Sequence, residues 1–432
     1  MIDQDEPDQD VREWRADTLR VAFVGEVDHG KSTLLGRILL DAGAMTPDRL
    51  NAPVLDGGLA FLLDGLAEER NGLFTLDTAQ AVIEQDGRRL TLIDVPGHLE
   101  LLKNMVTGAS TADVGVVVVD CEQGIVPQTK RHMRILELLG VTTCVCAATK
   151  MDLVDYRSNV YDDLAATMAA VAAECGIQLV ATVPVSAIDG TNITAPIPPG
   201  HPLSWYAGSH LVETLHAQGQ RRAELARLRF AVQTVLNRGG SPLVVGRIES
   251  GLLRPGRELV DPRTGATCQV TSIERFGEPP LAVAGPGDSV GLRIDGTPPP
   301  SGAILAPGDE PLSLGDLWYA RVLNVADRDL AGGERCEVRF ASASVNGHIE
   351  GIDQRWESST FEPCPDGQVI GFSEIAAIRI RLAEPVAADS LVDCPPVGRF
   401  MLCDAAGEAV GLGVIDRVAG GAPVTAEARV PR

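Results

Sequence analysis

The sequence has 432 residues, 45% hydrophobic and 22% charged, a length that suggests about three domains at roughly 150 residues each and a composition suited to sizeable buried cores. Its 59 acidic and 37 basic residues give a formal net charge of -22, which argues against non-specific nucleic-acid binding, because such binding relies on Lys and Arg neutralising phosphates. No apolar run approaches the ~18 residues of a membrane span, and the nine scattered Cys contain no CxxC pair, which favours buried thiols in a reducing cytoplasm over a metal site.

Residues 1–18 are acidic and polar, with no basic start followed by an apolar stretch, and read as a disordered tail rather than a secretory signal. From residue 19 to 217, short Val-rich apolar runs at Leu19–Gly25, Leu90–Asp94, Val114–Asp120, Thr143–Ala148 and Leu179–Val185 alternate with amphipathic stretches. One such stretch starts at Pro127, suited to a first helical turn, and stops before Gly140, suited to a C-cap. This alternation predicts an α/β domain with a mostly parallel sheet covered by helices on both faces. A polar helical stretch, Gln218–Arg227, separates it from short strand patterns with Gly, Pro and Asp turns. These predict two all-β barrel domains, over 228–312 and 316–432, split by the Pro-rich GTPPPSG.

The first chemical motif is Gly25-Glu26-Val27-Asp28-His29-Gly30-Lys31-Ser32, followed by Thr33, between a predicted strand and a predicted helix. It matches the phosphate-binding loop in the context that motif requires. Small residues let successive backbone N–H groups face phosphate oxygens, and the helix N-terminus adds its positive end. Lys31 then supplies a cation, and the Ser32 hydroxyl a ligand for Mg²⁺. The second motif, Asp94-Val95-Pro96-Gly97-His98, closes a strand. Asp94 suits a Mg²⁺ contact through water, and the Gly97 N–H suits the γ-phosphate. His98 reads either as the group that orients the attacking water or as a surface histidine.

The third motif is Thr149-Lys150-Met151-Asp152, again after an apolar strand. A carboxylate at Asp152 accepts from the guanine N1–H and exocyclic amine, a donor pair that adenine lacks, while the Lys150 stem lies along the base. Ser186-Ala187, after the next strand, completes the base pocket. Thr75, in the long segment before Leu90, reads either as a Mg²⁺ ligand that senses the γ-phosphate or as an ordinary threonine. Four motifs in this order predict binding and hydrolysis of GTP with Mg²⁺.

VDHGKSTL, DVPGH and NMVTGASTADVGVVVVD resemble the translation-factor class of GTPases. GKSTLLGRILLD, FLLDGLAEER, QTKRHMRILELLG, KMDLVDY and WYAG at Trp205–Gly208 are most similar to the GTPase subunit of bacterial ATP sulfurylase, also called sulfate adenylyltransferase subunit 1. RFAVQTV with GRIESGLLRPG resembles the second-domain barrel of that class, and EIAAIRIRLAEPV with VGRFMLCD the third. The resemblance implies a separate catalytic subunit that makes adenosine 5′-phosphosulfate and pyrophosphate from ATP and sulfate, an uphill reaction driven by GTP hydrolysis on this chain. It also implies that Val27 and Phe74 form an apolar gate beside His98.

The sequence departs from that family in several places. Thr149 replaces the usual Asn of the base motif, which predicts weaker guanine selectivity. Leu73 and Phe74 replace a Gly-Ile pair, Glu26 puts an acid in the phosphate loop, TPPPSGAIL replaces an Asp-Ile-Ser-Arg-Gly-Asp segment, and Cys394-Pro-Pro-Val replaces a basic one. Two other readings compete with the sulfurylase subunit: an elongation-factor-like translation GTPase that delivers charged tRNA, and a nucleotide-dependent regulatory switch.

Overall fold

The computed structural model describes residues 19–26, 28–44, 80–85, 88–95, 112–223, 227–236, 242–358, 360 and 362–419. The chain divides into two compact units: one holds the described residues between 17 and 219, the other the strands from residue 229 onward.

The first unit is a six-stranded sheet built from β1 (Leu19–Gly25), β2 (Gln80–Gln85), β3 (Arg88–Asp94), β4 (Val114–Asp120), β5 (Thr143–Thr149) and β6 (Gln178–Pro184), in the order β2-β3-β1-β4-β5-β6. Only β2 runs antiparallel to its neighbour. Every residue of β4 is buried, so its run of valines faces helices on both sides of the sheet, as parallel strands require. Helices α1 (Lys31–Asp41) and α4 (Leu211–Ala223) put Leu35, Ile38, Leu211 and Leu215 into one cluster with Phe23 and Leu92. Helix α2 (Pro127–Leu138) lays Leu136 over Gly115, and α3 (Ser158–Glu174) buries Leu164, Met168 and Val171. The polar stretch expected at Gln218–Arg227 is partly the C-terminal end of α4, which begins at Leu211 because Leu211, Val212 and Leu215 have a core to enter.

The second unit contains two six-stranded antiparallel sheets and one short two-stranded sheet. The first holds β7 (Arg229–Leu236), β8 (Leu243–Ser250), β9 (Glu258–Val260), β10 (Thr267–Glu274), β11 (Ser289–Gly296) and β12 (Ile304–Leu305), in the order β12-β7-β8-β11-β10-β9. A bridge between Val260 and Ala306 joins its two edges. Along β8, buried and half-buried residues alternate strictly, the mark of a strand with one face in a core.

The second is a closed barrel of β13 (Ser313–Asn324), β15 (Arg335–Phe340), β16 (Ala343–Glu357), β18 (Glu374–Ala388), β19 (Arg399–Cys403) and β20 (Ala409–Ala419). The short strands β14 (Leu330–Ala331) and β17 (Val369–Ile370) pair with each other. Its core centres on fully buried Trp318, with the Phe340 ring edge-on at 5.1 Å. Closure depends on β20, which pairs with both β13 and β19 and which the sequence pattern does not single out, because Gly411 and Gly413 interrupt its apolar run.

The two barrels are joined by a buried ion pair. Arg229 of β7 reaches Asp389, just after β18, with Nε to Oδ2 at 2.6 Å and Nη2 to Oδ1 at 3.2 Å. Burial pushes the Asp389 carboxyl above its ordinary value, and the Arg229 guanidinium opposes that shift. Ser342 Oγ donates to the Val232 carbonyl at 2.9 Å across the same junction. Among the described residues, no helix is long and apolar enough to cross a membrane.

Candidate functional site

The C-terminal ends of β1, β3, β4 and β5 lie side by side, and the candidate residues sit on them. Phe23 pairs with Asp94, and Asp120 with Thr149. This is the edge of an open α/β sheet where ligands bind. β1 and β4 approach so closely at this edge that a Cβ on Gly25 would stand 2.8 Å from the Val118 carbonyl oxygen. Beyond Gly25 the chain turns sharply. Asp28 (φ 65) and Gly30 (φ 87) are left-handed, and α1 begins at Lys31 with no side-chain cap and no acidic residue in its first turn. The first N–H groups of α1, at Lys31, Ser32 and Thr33, are thus free of intrahelical partners and carry the positive end of the helix.

Lys31 Nζ lies 2.8 Å from Asp94 Oδ1, and it also donates to the Val95 carbonyl. The two motifs, far apart in sequence, are therefore in direct contact. Thr149 Oγ1 lies 2.6 Å from the His29 carbonyl oxygen and 3.1 Å from that of Val119. A hydroxyl has one proton, and the shorter contact takes it, so the strand that leads to the base motif braces the phosphate loop. The residue that departs from the usual Asn thus holds that loop in place.

Lys150, itself left-handed (φ 58), puts Nζ 2.8 Å from Asp120 Oδ2. Asp120 also accepts from the Glu122 backbone N–H at 2.7 Å. Burial alone would raise the Asp120 carboxyl, but the Lys150 ammonium and that N–H outweigh it and bring it below its ordinary value. Asp152 stands, half-buried, in the 3₁₀ turn Met151–Val154. The Met151 N–H donates to the Val185 carbonyl at 3.4 Å, tying this turn to the strand that precedes Ser186. Ser186 and Ala187 are both buried.

Underneath, His29 is fully buried, and neither of its ring nitrogens has a hydrogen-bond partner among the described residues. His132 of α2 is buried nearby. Burial first, then the charges of Lys31 and Arg131, push its imidazole down to about 3, so it is neutral. Cys144 and Cys146 of β5 are free, buried thiols, both raised by burial. Val27, Phe74, Thr75, Gly97 and His98 lie outside the described residues.

Sequence reasoning passed over two charged groups. Asp120 had a signal of the same kind as Asp94, an acid closing an apolar strand. Arg37 had none: from α1 it donates through Nε to the Ala187 carbonyl at 2.9 Å and through Nη2 to that of Ile188, contacts across 150 residues of sequence.

Residues 16–237 match the elongation factor Tu GTP binding domain, and residues 319–416 match the GTP-eEF1A C-terminal domain-like family. The chain belongs to the elongation factor Tu GTPase family. It is 34% identical over 418 residues to bifunctional enzyme NodQ of Rhizobium meliloti, covering 92% of this chain and 64% of NodQ. The chain thus spans less than two thirds of that relative's length. It is 32% identical to sulfate adenylyltransferase subunit 1 of Aeromonas salmonicida, covering 89% of this chain and 84% of that one. It is equally 32% identical to elongation factor 1-alpha of Methanosphaera stadtmanae, covering 92% and 96%. Sup35 complexed with GDP aligns over 94% of this chain and 95% of its own, at 21% identity and a TM-score of 0.45. Membership in the elongation factor Tu family makes the chain a GTP-hydrolysing enzyme with its nucleotide domain in the first unit.

Proposed function

We propose that this GTPase is the GTP-hydrolysing subunit of a two-subunit sulfate adenylyltransferase. Its partner subunit forms adenosine 5′-phosphosulfate and pyrophosphate from ATP and sulfate. The similarity to sulfate adenylyltransferase subunit 1 over 84% of its length supports this reading; elongation factor 1-alpha is as similar, and it is WYAG at Trp205–Gly208 and KMDLVDY, together with the acidic balance, that favour the sulfurylase subunit. With a net charge of -22, the chain offers little to a phosphate backbone. Arginines of the barrels such as Arg257, Arg275, Arg321 and Arg381 are each engaged by a carboxylate within 4 Å.

In the nucleotide site, the N–H groups at the start of α1 and the Lys31 ammonium receive the phosphates of GTP. The oxygen donors Ser32, Thr75 and Asp94 are hard ligands of the kind Mg²⁺ takes, and the Asp94 carboxylate already faces a cation at 2.8 Å, so the residues fit that metal. When bound, Mg²⁺ neutralises charge on the outer phosphate oxygens. Asp152 accepts the guanine N1–H and amine, Lys150 lies along the base with its charge held by Asp120, and Ser186-Ala187 bounds the other edge. His98 orients the water for in-line attack, flanked by Val27 and Phe74.

The test is co-expression with a catalytic ATP sulfurylase subunit, followed by an assay of adenosine 5′-phosphosulfate with GTP, with GDP and without nucleotide. Co-purification and GTP-dependent formation of product are expected. GTP turnover that ignores this partner but rises with charged tRNA and ribosomes would overturn the reading in favour of a translation factor. Nucleotide-dependent binding without sustained turnover would overturn it in favour of a regulatory switch.

A further inference from the structure

The loop that follows β6 is gripped from two sides by residues that none of the four motifs includes. Arg37, on the helix that carries the phosphate loop, donates to two successive carbonyls, Ala187 at 2.9 Å and Ile188. Its guanidinium lies so near the left-handed Gly190 (φ 76) that a Cβ there would stand 3.3 Å from Nη1. On the other side, the Tyr156 hydroxyl donates to Asp189 Oδ2 at 2.5 Å, and the same oxygen accepts from Ser186 Oγ at 3.3 Å. Tyr156 is fixed at its other end as well: its carbonyl accepts from Trp205 Nε1 at 2.8 Å, and its ring meets His201 edge-on at 4.8 Å. Asp155 and Tyr156 both hold φ 53, a conformation that a side-chain-bearing residue keeps only when its surroundings demand it.

In a trans peptide the C=O and N–H point in opposite directions. With the Ala187 and Ile188 carbonyls turned to Arg37 and the Asp189 N–H donated to Ser186 Oγ at 3.4 Å, that stretch of loop withholds acceptors from a purine and keeps one donor, the Ile188 N–H opposite the Ala187 carbonyl. Guanine carries an acceptor, O6, where adenine carries an amine donor.

We propose that Arg37 and Tyr156 are positioning residues for guanine selection. Arg37 sequesters the carbonyls that could accept the adenine 6-amine, and Tyr156, through Asp189, fixes the height of Ser186 beside Asp152. The inference rests on the base-pocket reading given above, and it adds that selectivity against adenine is set from the phosphate helix and not by Asp152 alone.

The experiment measures Mg²⁺-dependent binding of GDP and of ADP by calorimetry for the full chain and for Arg37→Gln, Arg37→Lys, Tyr156→Phe and Asp152→Asn. In Arg37→Gln, GDP should bind about tenfold more weakly while ADP binds as well as before or better, a loss expected when charge-assisted hydrogen bonds are removed. Arg37→Lys, which keeps the charge but not the fork, should fall between. Tyr156→Phe, a single-hydroxyl change that spares the fold, should weaken GDP alone. Loss of GDP and ADP binding in equal proportion in Arg37→Gln and Tyr156→Phe would overturn the proposal and leave a purely structural role. A wild-type GDP-to-ADP ratio in these variants, with Asp152→Asn altering it, would overturn this inference and keep the base pocket. No preference for GDP in the unaltered chain would overturn both.

Discussion

Replacing Thr149 with valine removes one hydroxyl and leaves the shape of the side chain nearly unchanged. The His29 carbonyl, in a residue that is fully buried, then loses a donor at 2.6 Å, and no water can reach it to replace the bond. Stranding a buried acceptor costs about 1–3 kcal/mol. The backbone that would relax to relieve this cost is the phosphate loop itself, between left-handed Asp28 and Gly30. The expected result is a loss of about 5- to 150-fold in affinity for Mg²⁺-GDP. Because the loop serves phosphates regardless of the base, Mg²⁺-ADP should lose the same factor, which separates this defect from one in base reading. Calorimetric titration of both nucleotides measures it, and Thr149→Ser, which restores the hydroxyl, should recover most of the loss. GDP affinity within about twofold of the unaltered protein would refute the bracing role, since that corresponds to under about 0.5 kcal/mol.

Four further outcomes are expected. Asp152→Asn should shift preference from guanine toward xanthine nucleotides, read by competition binding; unchanged GTP affinity would count against the base-pocket assignment. His98→Ala should cut partner-stimulated GTP turnover far more than GTP binding, and equal loss of both would mark a structural histidine. His132 is held neutral, with its imidazole pushed from 6.5 down to about 3, so the unfolded chain takes up the proton first as pH falls. Its contribution is therefore complete above pH 6.5 and is lost progressively toward 3, at a slope approaching about 1.4 kcal/mol per pH unit. Unfolding in urea across pH 5–7 should show this loss, with a flatter profile in His132→Leu. Arg229→Met should destabilise the paired barrels by about 3–5 kcal/mol in denaturant unfolding, because Asp389 is left buried and unpaired, while Arg229→Met with Asp389→Leu should regain most of it.

Local pattern carried the first unit a long way. The strand bounds read from valine-rich runs agree with β1 and β4 residue for residue, and Pro127 starts α2 as its fixed φ suggests. These elements are buried on both sides, so their composition is sharply biased. The barrels were less legible. The short β9, β12, β14 and β17 have too few residues to show a period, and β20 has its apolar run broken by glycines.

The chemistry of the candidate site divides along the same line. Residue type and spacing alone pointed to a triphosphate cradle and a guanine-reading carboxylate, because those roles demand particular atoms at fixed offsets along one turn of chain. Tertiary structure alone decided that Lys31 meets Asp94, that Thr149 holds the His29 carbonyl, that Asp120 steadies Lys150 and that Arg37 grips the loop after β6. Each of these contacts joins segments between 30 and about 150 residues apart, brought together along the C-terminal edge of one sheet. No local period or motif encodes such a meeting; the strand order of the sheet does.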